Sequence, residues 1–598
     1  MKRKITCLML AALMLLPAGK VMENMKVNAA QPVRKSEMGM ITAQGVWHRP
    51  NITGTETNLA GIRTVLDVFQ ETGINLVFLE TFYHGMTVFK SSYIEYYKGF
   101  EAFDYSPYPD YLSAFVAEAE KRGIEVHAWV EDFYIGVNEN HFTRHLPEWL
   151  MLTKDGGIRQ TEGAEYGGYL FLDPANPAVR QYLLQFYDEI LTKFPQIAGL
   201  NLDYIRYPIS SQGDDTGFTD AAMNGFAAKE GISFPENATR EEKTAMISAN
   251  YGQWVNYRAE QITTFVGQVY EMVKTEHKGV LLSTAVFPEQ GKSFGDKKQD
   301  FNTWLSRGYL DIITPMAYYD DIGTLKNALE AMLPGLSACY CYAGISPTYH
   351  NLPNSTVLKQ MATTLEAGAD GFVHFGSQSI LQKPNYINLL KENTTQTVLP
   401  HSEAKVLLNT AAKAVESKLV AAGEPKQTMD SLLDLLKELE KTQDLREVNK
   451  QLRLLVKYNL GNYVSPKNES LIREDLEQLY RCVDVMAARL EGKGQLPTVP
   501  DEPAKPTTPT TQPTTKPTEP PVSSTEPTVS TQPTTMQPTT EPSKPVAPET
   551  TDEPQDTPNN EKRPTGTAKM LGMGMILATL AVAGGTAGFF AIRKGRKK

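Results

Sequence analysis

The sequence predicts an α/β chain built on a (β/α)8 TIM barrel over residues 38–393, then a small α-helical bundle at 402–491, a disordered Pro/Thr-rich stalk at 492–567 and a C-terminal transmembrane helix at 570–592. Three observations carry this expectation. Short apolar runs alternate with amphipathic helical stretches through the first part, the mark of βα units around a parallel sheet. After Ser402 leucines recur at helical spacing only. Beyond Gly492 the chain is Pro and Thr with scattered charge, and then a long uncharged apolar run.

Taken in order, Lys2, Arg3 and Lys4 precede an apolar run at 5–16 and a polar stretch ending Val27-Asn28-Ala29-Ala30. Basic, apolar and small-residue zones in that order predict a secretory signal peptide at 1–30. Candidate strands follow at 40–46, 75–80, 125–130, 198–202, 279–286, 312–316, 342–345 and 371–375. Helical patterns lie between them at 59–72, 111–122, 177–193 and 241–274. Eight strands with intervening helices match a (β/α)8 barrel with loop insertions. A doubly wound open sheet is the alternative, weakened because Trp47-His48-Arg49-Pro50 stands where a Gly-rich phosphate loop would follow the first strand.

In the helical region Leu432, Leu435, Leu436 and Leu439 share one face, as do Leu445, Val448, Leu452 and Leu455, and Leu476, Leu479, Val483 and Met486. Stripes at this period are packing surfaces, so no chemistry is assigned to them. The stalk cannot bury a core and is expected to stay extended. The apolar run at 570–592 carries no charge and precedes a basic tail at 593–598, expected to remain cytoplasmic. That layout predicts export and a membrane anchor displaying the chain on the extracellular face of the cell membrane. Retention in the cell wall is the alternative, although Arg563-Pro564-Thr565-Gly566 is one residue short of a Leu-Pro-x-Thr-Gly sorting motif.

A net charge of −10 over 598 residues, with no basic cluster outside the two ends, excludes nucleic acid as a partner. The four cysteines form neither a disulfide framework nor a zinc pattern. The histidines are read as scattered, so no metal and no cofactor is expected.

The stretch that organises the rest is IAGLNLDYIRYP, 197–208, an apolar run ending in Asp203, Tyr204, Arg206 and Tyr207. Strand interiors hold packing residues, and chemistry waits for the C-terminal end, which places Asp203 at a barrel mouth. Other strand ends bring Trp47, His48 and Arg49; Glu80 and His84; Trp129, Glu131 and Asp132; Tyr318, Tyr319, Asp320 and Asp321; and His374 with Ser377. Carboxylates among aromatics suit a polysaccharide: rings stack on sugars, and two acids flanking a glycosidic bond supply the proton donor and the nucleophile or base. Asp203 is expected as nucleophile or base, with Glu131 or Asp320 as proton donor. Arg206, Tyr207 and Tyr318 are expected to orient the sugar, Arg206 also keeping Asp203 ionised. Trp47, Glu80, His127, Trp129 and His374 complete the expected substrate-binding set. Each has a plainer reading: Glu80 as ion-pair partner of Arg49 or Arg206, Asp320 and Asp321 as helix caps, His127 as a satisfied core residue, Trp129 as core packing.

Several motifs together resemble one known family: Gly45-Val46-Trp47, AEKRGIEVHAW at 119–129, Pro147-Glu148-Trp149, LDPANP at 172–177 with Val179-Arg180, GLNLDYIRYP at 199–208, TPMAY at 314–318 and Gly371-Phe372-Val373. They look like the glycosyl hydrolase-like family 10 domain, formerly domain of unknown function 187, and the tail resembles those of Gram-positive surface proteins. The resemblance implies a TIM-barrel glycosidase of secreted or envelope location, with bacterial cell-wall glycan as a substrate class for some members. The family's strand-four Asp falls on Asp203. Members often carry Gln where Glu80 stands, so Glu80 departs from the pattern. The expected function is therefore glycoside hydrolysis. The alternatives are a lectin or adhesin that uses the same groove without turnover, and a scaffold that recruits partners through the bundle.

Overall fold

The computed structural model describes residues 39–490 except 52, 211–214, 348 and 350. The expected signal peptide, stalk, membrane helix and basic tail lie outside the described residues. Among the described residues no helix is long and apolar enough to cross a membrane.

Eight parallel strands close into a barrel: β1 (Ala43–His48), β2 (Leu76–Tyr83), β3 (Glu125–Glu131), β4 (Ile197–Asp203), β5 (Leu281–Val286), β6 (Ile312–Pro315), β7 (Tyr340–Ile345) and β8 (Gly371–Phe375). Each pairs with its sequence neighbours, and β1 pairs with both β2 (Gly45↔Leu76) and β8 (Ala43↔Gly371), which closes the ring. The predicted first strand began too early and stopped short of Trp47 and His48. The predicted helix at 241–274 is two helices, Arg240–Ser248 and Tyr251–Glu276. The break falls at Asn250, whose side-chain amide donates to the Met246 carbonyl (3.0 Å) and so takes a backbone group the helix would otherwise use.

Side chains alternate along each strand. The outward set packs against the surrounding helices in one continuous apolar layer that includes Val77, Leu79, Val126, Ala128, Leu200 and Leu202. The inward set fills the barrel. At mid-height Asn201 accepts the Trp47 indole N–H (3.2 Å) and donates to Ser283 (2.8 Å), linking β4 to β1 and β5 across the interior.

The four helices Ala404–Ala421, Lys426–Lys441, Leu445–Leu454 and Pro466–Leu490 sit against the N-terminal ends of the strands. Leu407, Leu408, Leu476 and Leu479 share one buried cluster with the inward residues Leu76, Ile312, Tyr340 and Tyr342, so the helical unit is the floor of the barrel. Polar ties seal the seam. Arg481 grips Asp370 with two hydrogen bonds (2.7 and 2.9 Å). Arg489 pairs with Asp311 and donates to the Leu310 and Ala338 carbonyls. The Tyr340 hydroxyl donates to the Cys482 carbonyl (3.0 Å).

Candidate active site

The C-terminal ends of β2, β3 and β4 bring three carboxylates side by side. Glu131 and Asp203 are register partners on adjacent strands, and Trp129 pairs with both Glu80 and Asn201. Inward parity puts Glu80, Glu131 and Asp203 on the same face of neighbouring strands, whose backbones are spaced about 4.8 Å apart. Asp203, partly exposed, accepts the Trp129 indole N–H at Oδ2 (3.0 Å) and the Tyr204 backbone N–H at Oδ1 (2.7 Å). Glu131 is buried and accepts the His84 backbone N–H (2.7 Å). Arg49 serves both glutamates: it binds Glu80 through Nε (2.6 Å) and Nη2 (2.7 Å) and lies 3.6 Å from Glu131. The ion-pair reading of Glu80 with Arg49 therefore holds. The guanidinium also stands over the Tyr83 ring (4.9 Å) and the Trp129 ring (5.7 Å). Burial, with the Arg49 charge adding to it, holds the His84 imidazole well below its usual range and hence neutral.

The opposite part of the rim is aromatic. Tyr318 stacks on Phe375 (5.1 Å), meets Trp47 edge-on (6.4 Å) and lies 6.3 Å from Tyr349, while Phe375 also faces Trp129 (6.5 Å). An acidic wall beside an aromatic wall is the layout expected of a sugar site, whose rings need a stacking surface and whose hydroxyls need acceptors.

Five sequence expectations require correction or refinement. His127 belongs to the lower layer of the barrel: its Nε2 donates to Glu125 (2.8 Å), which also accepts from His401 of the floor (2.7 Å), so it packs away from the rim. His374 faces outward and is fully buried beside Tyr386, where burial pushes its ring down to about 3; the inward neighbour Phe375 takes the rim position. Tyr207 is buried under the loop after β4, its ring beneath the Arg258 guanidinium (5.5 Å). Arg206 forms a two-point ion pair with Glu162 (3.0 and 2.9 Å), so its charge is held by that glutamate. Trp47 is buried (1% exposed) beneath Tyr318 and supports the aromatic wall from below.

Asp320 stands exposed on the loop after β6, and its neighbour Asp321 caps the helix Ile322–Met332 by accepting the Thr324 N–H. Asp132 points outward to the Tyr187 hydroxyl (2.8 Å); burial and then the Asp203 charge push its carboxyl well up, which suits a protonated acid beneath the site. The motif at 172–177 is a structural knot. Asp173 accepts the Ala175 N–H (2.9 Å) and the Thr219 hydroxyl, while Asn176 caps the helix Pro177–Lys193.

Sequence reasoning left Phe375, Tyr83, Tyr349 and Glu162 unassigned. Phe375 had a signal, since it follows the inward Val373 by two. Glu162 had none, because its partner lies 44 residues away. The expectation of no metal rested on scattered histidines and overlooked His141-Phe-Thr-Arg-His145, two histidines four apart.

The Glycosyl hydrolase-like 10 family model matches residues 44–333. Glycosyl hydrolase YngK of Bacillus subtilis (strain 168) is 23% identical over 278 residues, 43% of this chain and 48% of that protein. Glycosyl hydrolase DigH of Escherichia coli (strain K12) is 23% identical over 267 residues, 42% of this chain and 56% of that protein. The aligned part thus spans about half the length of these curated relatives. Among solved structures, the PgaB (BpsB) glycoside hydrolase domain from Bordetella bronchiseptica aligns with 60% of this chain and 100% of its own, at 12% identity and a TM-score of 0.44. Over residues 44–333 the chain is thus similar to the glycosyl hydrolase-like 10 family.

Proposed function

We propose that this protein is a glycoside hydrolase acting on a polysaccharide, with bacterial cell-wall glycan the class that the motif resemblance implies. The observation that carries the proposal is the pairing of Glu131 with Asp203 on adjacent strands, facing the aromatic rim of Tyr318, Phe375 and Tyr349. Asp203 is the partly exposed member of the three clustered carboxylates, with its Oδ2 fixed by Trp129. It is the nucleophile or base in this reading. Glu131 is the second acid, and Asp320 on the opposite loop is the alternative proton donor. The separation of the two carboxyl groups decides the outcome: about 5 Å favours net retention and roughly 6.5 to 9.5 Å favours inversion. The basic and apolar segments at 1–30 and 570–598 support export and display on the outer face of the membrane.

The test is release of reducing ends from wall glycans and other polysaccharides by the wild type, Asp203→Asn, Glu131→Gln and Asp320→Asn. Loss of about 10²-fold or more is expected for Asp203→Asn. A folded Asp203→Asn that keeps full activity sinks the assignment. A second reading, a carbohydrate-binding protein without turnover, draws on the engagement of Glu80 and Glu131 by Arg49, which holds both as acceptors. It predicts retention of the chain on those glycans with no release.

A further inference from the structure

Away from the carboxylate cluster, the loop after β2 and the loop after β3 meet at three potential ligands. His141 and His145 lie on the short helix His141–His145, four residues apart and so on one face, with ring centroids 5.1 Å apart. Glu95 comes from the other loop and its Oε1 lies 2.8 Å from His145 Nε2. One donor atom from each of the three residues falls within 4.8 Å of the others. The outer contacts orient the ligands. The Tyr182 hydroxyl donates to the Tyr93 carbonyl, so its oxygen accepts from His141 Nε2 (3.1 Å). That fixes the His141 proton on Nε2 and leaves Nδ1 with a bare lone pair, buried and without a hydrogen-bond partner among the described residues. Orientation of a histidine by a hydrogen bond on its second nitrogen is what metal ligands show.

We propose that Glu95, His141 and His145 form a binding site for a divalent transition-metal cation such as zinc, clasping the loops that follow β2 and β3. Two imidazoles and a carboxylate are a zinc donor set, with water completing a tetrahedron. Bonds of about 2.0–2.1 Å require the Glu95–His145 contact to open by roughly half an ångström, a side-chain adjustment. One group opposes the cation: Arg144, ion-paired to Glu95 and 3.8 Å from Glu139. The site is distinct from the carboxylates of the mouth and supplies no step of glycoside cleavage; its part is to hold two rim loops together.

The test uses the untagged chain and zinc alone, titrated by calorimetry, with cobalt as a spectroscopic substitute. One zinc per chain is expected in the wild type, and His141→Ala/His145→Ala should bind at least tenfold more weakly. Arg144→Ala removes the competing cation and should tighten binding several-fold, a gain that misfolding cannot imitate. A double-histidine variant that binds as the wild type does, a wild type that takes up no zinc, or an Arg144→Ala variant that binds more weakly would each overturn the proposal.

Discussion

Arg481→Met tests whether the helical unit is structurally part of the barrel. Asp370 lies just before β8 with its side chain 2% exposed, and it receives two hydrogen bonds from Arg481 and one from the Cys341 N–H (2.9 Å). Burial raises this carboxyl and Arg481 counteracts the rise. Breaking a buried ion pair from one side costs about 3–5 kcal/mol. Arg481 is a third exposed and the Cys341 donor survives, so the expected cost at neutral pH is about 2–3 kcal/mol. Arg481→Met/Asp370→Asn should regain most of it, because an amide oxygen still accepts from Cys341 without a stranded charge. The sign with pH follows from the direction of the shift. A carboxyl whose folded pKa lies above its unfolded value loses nothing below about pH 4, and the penalty grows as pH rises toward the folded value. The deficit of the single variant should therefore be small near pH 4 and grow as pH rises. All five tryptophans lie in the barrel, so indole fluorescence during urea unfolding reports the barrel transition alone. A loss under about 0.5 kcal/mol in that transition at pH 7 would show that floor and barrel unfold independently and refute the reasoning.

Trp129→Phe keeps a ring for stacking but removes the donor to Asp203; a charge-assisted hydrogen bond of about 1.5–3 kcal/mol implies a fall of at least tenfold in kcat with KM little changed, read from steady-state glycan cleavage. Lys298 is fully buried, and burial, the largest cause, pushes its amine from 10.5 down to about 7. A base with a depressed folded pKa costs nothing above its unfolded value and increasingly more as pH falls to the folded one. At about 1.4 kcal/mol per unit, less the lost Ser210 and Asp296 contacts, Lys298→Met should gain about 2–3 kcal/mol at pH 7, and the gain should vanish near pH 10.5 in denaturant titrations. Gly199→Ala would place a methyl 2.3 Å from His127 Nδ1, an overpacking cost of about 1–3 kcal/mol that thermal unfolding should register as a lower Tm.

Much of the barrel was legible because apolar runs and helical periods report local geometry, and Asp203 was legible because a strand's polar end is visible in one segment. Inward or outward parity was harder to read. GFVHF at 371–375 is buried on both faces, so it carries no alternation to show that Phe375, not His374, points inward. Height along the strand was equally hidden: His127 and Trp129 share parity, yet only Trp129 stands near the mouth. Pairings between distant loops, Arg206 with Glu162 or Arg481 with Asp370, have no periodic signature. The leucine stripes announced a packed bundle, but the surface they cover, the barrel floor, is set by tertiary docking.

The segment at 197–203 organises the site because three inward positions of one strand act at three heights. Gly199 has no side chain, and that space is where the His127 ring sits above the floor. Asn201 holds the Trp47 indole, and Trp47 in turn meets Tyr318 and Phe375, so the aromatic wall is supported by a hydrogen bond in the layer below it. Asp203 then emerges two residues further on, opposite Glu131 and under the Trp129 N–H. Parity forces all three onto one face, and a register slip of one residue would turn Asp203 outward while burying Leu202 in the mouth. The acid and the aromatic wall are therefore placed by the same strand. With the floor sealed by helices, the rim is the face of the barrel from which a ligand can reach them.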